Sequence, residues 1–257
     1  MSNSSHQQDQ TAPEGMRKVS WSAAGIADVS TACPDLDREN RKGVPEVILC
    51  HRKSVEQSLG IAATLLERTG RAILSRVPDA LHMALSETYA PEEFEWFGAS
   101  RMAVVRREGQ GVTLTGGRVG ILTAGTSDQS AAEEAAVICR ELGCAVTLFF
   151  DVGVAGLHRL FGPLKRLLEE EDVDVLVVAA GMDGALPSVV SGLANVPVIG
   201  LPTSVGYGHG GGGKAALLSM LQTCSPGLAV VNIDNGIGAG IMAGMIANRV
   251  ASVRKAS

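Results

Sequence analysis

The stretch RVGILTAGTSDQSAAEEAAVICRELGCAVTLFFDV, residues 118–152, holds one full turn of the pattern that decides this fold. Arg118–Ala124 is apolar and strand-like, and Gly125-Thr126-Ser127-Asp128 interrupts it. A helical stripe then runs over residues 128–142, with a capping box predicted from Ser130 to Glu133, before Ala145–Asp151 begins the next strand. Outward from there the unit recurs. Asp174–Ala180 leads into Gly181-Met182-Asp183-Gly184, Val196–Leu201 into the glycine run at 206–214, and Leu228–Ile233 into Asp234-Asn235-Gly236. The loop after Ala145–Asp151 is poorer in glycine and carries His158-Arg159. Five strand–loop–helix units in a row predict a parallel sheet between two helical layers. Loops at the carboxyl ends of such strands share one edge, where ligands bind at the strand-order switch. The candidate chemistry is expected on that edge, with Cys224, just before the last strand, close enough in sequence to join it.

Composition fits this architecture. Hydrophobic residues make up 46% of the chain and aromatics only 4%, so the core must be aliphatic, as suits strands covered on both faces. A net charge of −5 gives no electrostatic support for nucleic-acid binding. The five cysteines form no CxxC and no paired zinc spacing, which predicts reduced thiols in a cytoplasmic protein. Residues 1–13 are polar and lack an apolar h-region, and no uninterrupted apolar run is long enough for a membrane span.

Ahead of the repeating units the chain divides again. Residues 1–34 read as a disordered tail, polar and without period. Residues 35–114 read as a small α+β domain: strands at Glu46–Leu49, Arg71–Leu74 and Ser100–Arg106, with helices at Val55–Arg68 and Asp79–Thr88. The connector at 109–117 has room for a short strand at Val112–Leu114. Residues 115–257 form the α/β/α domain.

Several motifs carry two readings. Gly208 through Lys214 matches the phosphate loop GxxxxGK, but Ala215 stands where a hydroxyl should hold magnesium, so a glycine lid over a ligand is the better reading. Lys214 can still meet a phosphate as a point charge. Gly238, Gly240 and Ala243 fit a loose GxGxxA fingerprint, yet close packing of the last helix accounts for them better. Gly125, Thr126, Ser127 and Asp128 suit a phosphate or carboxylate at a helix start, against plain N-capping by Ser127 or Asp128. Asp183 reads equally as a partly desolvated general base and as a turn residue capping the helix that contains Pro187. Cys139 and Cys144 read as buried hydrophobes, and on residues alone Cys224 does too. His158 and His209 are the histidines of the ligand edge; no HxH or HxxxH spacing suggests a metal site.

The run GILTAGTSD, DVGVAGLHR, VVAAGMDGALPSVVSGL, PVIGLPTSVGYG and GKAALLSMLQTCSPGLAVVNIDNGIGAG resembles the PurE superfamily, the aminoimidazole ribonucleotide carboxylases and mutases. It is still more similar to the LarB family of nickel-pincer nucleotide biosynthesis, over residues 115–250. Leu36-Asp37-Arg38-Glu39-Asn40-Arg41, Pro45-Glu46-Val47-Ile48 and Lys53 look like that family's N-terminal domain. The resemblance implies a flavodoxin-like strand order and a homo-octamer. It also implies conversion of nicotinic acid adenine dinucleotide and CO2 or bicarbonate into pyridinium-3,5-biscarboxylic acid mononucleotide and AMP. Cys224 then becomes the nucleophile, reversing the plainer reading, because an electron-poor pyridinium attacks CO2 only after a thiolate has added to it.

The same resemblance makes Asp183 the residue for proton transfer or for polarising the water that opens the anhydride; the family more usually carries Glu there. Gly125–Asp128 would hold the ribose phosphate, with His158, Arg159, Gly181, Met182, His209, Lys214, Asp234 and Asn235 around the substrate. His158 lies in Gly-Leu-His-Arg rather than Ser-Ala-His-Arg, and Cys50-His51-Arg52-Lys53-Ser54 departs from an expected Gly-x-Gly-Lys-Thr-like segment. No tightly bound cofactor is implied; Mg2+ would assist only at the pyrophosphate. Two rivals stand beside this reading: an aminoimidazole ribonucleotide carboxylase or mutase, which needs no thiol, and a non-catalytic nucleotide sensor.

Overall fold

A computed structural model describes residues 33–256. The expected tail, 1–34, lies almost wholly outside the described residues. From Cys33 onward the chain forms one compact unit built on two sheets. The first sheet takes β1 (Val47–Leu49), β2 (Arg71–Ser75), β3 (Phe94–Phe97) and β4 (Met102–Arg106) in the order β1-β2-β4-β3. β1 and β2 run parallel, and the other pairs are antiparallel. Three helices belong to this lobe: α1 (Arg38–Lys42), α2 (Val55–Thr69) and α3 (Asp79–Thr88). α2 opens with a complete capping box, Ser54 Oγ accepting from Gln57 N at 3.2 Å and Gln57 Oε1 accepting from Ser54 N at 3.0 Å.

The second sheet is wholly parallel and comprises β5 (Arg118–Thr123), β6 (Ala145–Phe149), β7 (Val175–Ala180), β8 (Val198–Pro202) and β9 (Leu228–Val230). Its order, β6-β5-β7-β8-β9, is the flavodoxin-like one. α4 (Gln129–Glu141) and α8 (Gly236–Arg254) cover one face. α5 (His158–Lys165), α6 (Leu186–Leu193) and α7 (Lys214–Leu221) cover the other. The three-layer α/β/α expectation therefore holds.

The lobes meet through α4. Side chains alternate along β2 and β4: Ala72, Leu74, Ala103 and Val105 face α2 and α3, whereas Ile73, Met102 and Val104 join the core around α4. α4 thus lies between two sheets, which is why Ala131, Ala132, Ala135, Ala136 and Ile138 are all buried and why small residues dominate it. α8 packs against α4 through an equally small surface. A Cβ on Gly240 would come within 2.6 Å of Ala135 O, so this glycine is held by packing rather than by a dinucleotide. By length and composition alone α8 would suit a membrane span, contrary to the sequence expectation; its buried Ala239, Gly240, Ala243, Gly244 and Ala247 mark it instead as a core helix.

Three local expectations change. The capping box from Ser130 to Glu133 is absent: Asp128 Oδ2 reaches back to Gly125 N at 2.8 Å, and Glu133 Oε2 accepts from Ser100 N at 2.7 Å across the lobes. Val112–Leu114 forms no strand; the connector docks through Thr115 N to Gly143 O at 2.9 Å. β3 was not anticipated and supplies the small sheet's edge.

Candidate functional site

Strand order reverses between β5 and β7, so Gly125–Asp128 and Gly181–Asp183 flank the switch point. The loops after β6, β8 and β9 bring His158-Arg159, His209 with Lys214, and Asp234-Asn235 to the same carboxyl edge. Hydrogen bonds tie these loops together. Thr203 Oγ1 donates to Asp128 Oδ1 at 2.6 Å, Ser204 N to Asp234 Oδ1 at 2.8 Å, and Met182 N to Val205 O at 2.8 Å. A Cβ on Gly181 would lie 2.1 Å from Val205 O, so only glycine lets the β7 and β8 loops approach this closely.

Asp128 is almost fully buried, and both of its oxygens accept hydrogen bonds from the protein. Burial pushes its carboxyl above the ordinary aspartate value, against the pull of the Thr203 hydroxyl. Its place is that of a latch between the β5 and β8 loops. Thr126 and Ser127 are exposed above it. Met182, Asp234 and Asp151 adopt left-handed backbone (φ 49°, 53° and 59°), a conformation that side-chain-bearing residues enter at a cost and that gathers at functional loops. Asn235 caps α8, accepting from Gly238 N at 2.9 Å. Arg159 pairs with Asp151 at 2.6 Å; His158, His209 and Lys214 are exposed.

Two candidates stand differently from expectation. Asp183 is exposed, and its Oδ1 accepts from Ala185 N at 3.3 Å, so of the two readings that the residues left even the chain alone shows the turn-capping one. Cys224 is also exposed, but at the wrong end of its own sheet. It sits between α7 and β9, where Ser191 Oγ donates to Pro226 O at 2.6 Å and Val198 N to Gly227 O at 3.0 Å. That is the amino edge of the strands, removed from Asp183 by roughly 15 Å at ~3.3 Å of rise per residue. One chain does not unite the thiol with the carboxylate. The other deep thiols are inert: burial raises Cys50 and Cys144 to about 11 and Cys139 higher still.

The carboxyl edge also opens on the α4 side, where it faces the small lobe across a cleft of about 270 Å³. Arg76, Ser100 and Glu134 line it beside Ser127, Ser204 and Asp234. None of the first three was singled out in the sequence. Glu134 carried a readable signal, a carboxylate on the apolar stripe of α4; Arg76 carried none. Glu134 Oε1 accepts from Ser75 Oγ at 2.6 Å and Oε2 from Ile237 N at 3.3 Å, and burial pushes its carboxyl up. Among the described residues no three His, Cys, Asp or Glu side chains gather as a metal-ligand set, so no chemical step is assigned to Mg2+.

A flavodoxin-ordered parallel sheet with glycine-rich, hydroxyl-bearing loops at its switch point defines a doubly wound α/β class of protein whose crevice lies at that edge. Within that class the chain belongs to the AIR carboxylase family, which matches residues 118–257, and a LarB/PurE-like N-terminal domain matches residues 26–107. It is 41% identical over 221 residues to an uncharacterized protein of Methanocaldococcus jannaschii, covering 83% of this chain and 82% of that protein. The N5-carboxyaminoimidazole ribonucleotide mutase of the same organism is 35% identical over 125 residues, covering 48% of this chain and 74% of the mutase. The crystal structure of Treponema denticola PurE superposes with a TM-score of 0.41 at 22% identity, covering 53% of this chain and 80% of that one.

Proposed function

We propose that this protein carboxylates C5 of the pyridinium ring of nicotinic acid adenine dinucleotide and opens its phosphoanhydride, yielding pyridinium-3,5-biscarboxylic acid mononucleotide and AMP. The observation that carries the reading is the union, in one chain, of a LarB/PurE-like N-terminal domain with an AIR carboxylase domain bearing an exposed thiol in Thr-Cys-Ser-Pro-Gly.

The thiolate of Cys224 adds to the ring carbon beside C5, forming a C–S bond and converting the pyridinium to a neutral enamine. The C5 electron pair attacks CO2 and forms the new C–C bond. Asp183 takes the C5 proton, the C–S bond breaks, and the thiolate leaves as aromaticity returns. Water separately cleaves the P–O–P linkage, releasing AMP. The ring finishes with one carboxylate gained and one proton lost.

Because Cys224 and Asp183 lie at opposite edges of the sheet, the proposed reaction takes the thiol of one copy against the carboxyl edge of a neighbour, within the homo-octamer that the resemblance implies. Exposed Leu193, Leu218 and Leu221 near the thiol, with Met242 and Met245 on α8, support such burial between copies.

A second reading, an N5-carboxyaminoimidazole ribonucleotide mutase, is favoured by the similarity to that mutase. Incubation with nicotinic acid adenine dinucleotide, Mg2+ and 13C-bicarbonate, followed by mass spectrometry, separates the two. The proposal expects a 13C-labelled biscarboxylate mononucleotide plus AMP, lost in Cys224→Ser. Absence of that product, with turnover of N5-carboxyaminoimidazole ribonucleotide instead, selects the mutase.

A further inference from the structure

The cleft between the lobes has a donor and an acceptor that the fold leaves unused. Arg76 follows β2 in left-handed backbone (φ 53°), which turns its side chain toward the large lobe. Among the described residues its one hydrogen bond runs from Nη2 to Asp234 O at 3.0 Å, leaving Nη1 and Nε to donate elsewhere. Asp234 is held by Ser204 N on Oδ1, and its Oδ2 keeps no hydrogen-bond partner among the described residues. The hydroxyls of Ser127 and Ser204 open on the same space. The remaining carboxylates, Asp128 and Glu134, are engaged on both oxygens within the protein, and burial raises the value at which each ionises, which softens their repulsion of an anion.

A guanidinium edge and hydroxyls suit a phosphate, and a carboxylate oxygen a few ångströms away suits a sugar hydroxyl. At about 270 Å³ the cleft lies just below the ~300–1,000 Å³ of ordinary small-molecule sites, room for one ribosyl phosphate rather than a whole dinucleotide. We propose that this cleft binds one ribosyl phosphate of a nucleotide substrate, Arg76 taking the phosphate and Asp234 a ribose hydroxyl, so that the N-terminal lobe supplies half of a nucleotide subsite. The assignment to one half of a dinucleotide rests on the function proposed above; the ribosyl-phosphate chemistry does not.

The test titrates AMP and, separately, nicotinic acid mononucleotide into the full-length protein by calorimetry, with Arg76→Gln and Arg76→Lys in parallel. Gln keeps a donor for Asp234 O but loses the charge, so a purely structural role would leave binding intact. At least one mononucleotide is expected to bind wild type saturably, weakened tenfold or more in Arg76→Gln and partly restored in Arg76→Lys, as loss of a charge-assisted contact predicts. Which of the two binds identifies the half of the dinucleotide. Unchanged affinity in Arg76→Gln, or no saturable binding of either, overturns the proposal. Dinucleotide turnover is assayed separately: binding without turnover sinks the proposed reaction and leaves the subsite, whereas turnover with an unaltered KM in Arg76→Gln does the reverse.

Discussion

Glu141 is the residue on which the docking of the two lobes most depends. Its side chain is only 2% exposed and receives Arg71 Nη1 at 3.1 Å and Arg106 Nη2, one guanidinium from each of two strands of the small sheet. Removing one member of a buried ion pair costs about 3–5 kcal/mol when the other charge is left alone. Here neither arginine is left alone: Arg71 keeps Glu39 at 2.5 Å and Glu141 O at 2.9 Å, and Arg106 keeps Glu95 at 3.0 Å. The expected loss for Glu141→Ala is therefore lower, about 2–3 kcal/mol. For an ordered unit of this size that lowers Tm by roughly 5–10 °C. Glu95→Ala breaks only a half-exposed pair and should cost under ~1 kcal/mol. Circular-dichroism melts of wild type and both variants at low and high salt make the comparison. Equal losses in the two variants, or a Glu141→Ala Tm within about 2 °C of wild type, would refute the claim that α4 carries the lobe interface.

Two glycines in helices should respond with opposite signs. Gly240→Ala forces a Cβ against Ala135 O and should destabilise by about 1–3 kcal/mol, whereas Gly60→Ala in α2, with open space at its Cβ, should stabilise by about 0.5–1 kcal/mol in urea melts. Glu134 is raised from its ordinary value of 4.5, so the folded chain holds its proton more tightly than the unfolded one. Wild-type stability, measured against Glu134→Gln, should rise as pH falls through the raised folded value and level off below about 4.5; a fall over that window contradicts the burial argument. Iodoacetamide should label Cys224 in the native protein, while Cys50, Cys139 and Cys144 react only once denaturant opens the core.

The large sheet was legible because each strand is a short aliphatic run closed by glycine or aspartate, and five repetitions leave few alternatives. The small lobe was harder. Phe94-Glu95-Trp96-Phe97 is a four-residue edge strand just after Pro91, too short to show a period, and it is fixed by pairing with Met102–Val105. The capping box failed because Glu133 found its partner, Ser100 N, in the β3–β4 turn of the small lobe, which no local spacing reveals. Placing Cys224 on the ligand edge was an error of topology: a residue before a parallel strand lies at its amino end, opposite the loops that follow the other strands. Depth was likewise invisible at Asp183, whose loop is legible in the sequence but whose two readings, desolvated base and turn cap, only the fold separates. Arg76 escaped notice because its cleft exists only once α4 has brought two lobes together.

In the proposed reaction the catalytic site is shared between copies, and co-assembly of two defective chains tests that most directly. Cys224→Ser and Asp183→Asn are purified separately, then unfolded and refolded together in equal amounts. Label incorporation from 13C-bicarbonate into the mononucleotide is measured for each alone and for the mixture. With random assembly about one site in four would combine an intact thiol with an intact carboxylate, so the mixture should regain about a quarter of wild-type activity. A mixture as inactive as its parts, beside wild type that survives the same refolding, would contradict a thiol and a carboxylate contributed by different copies.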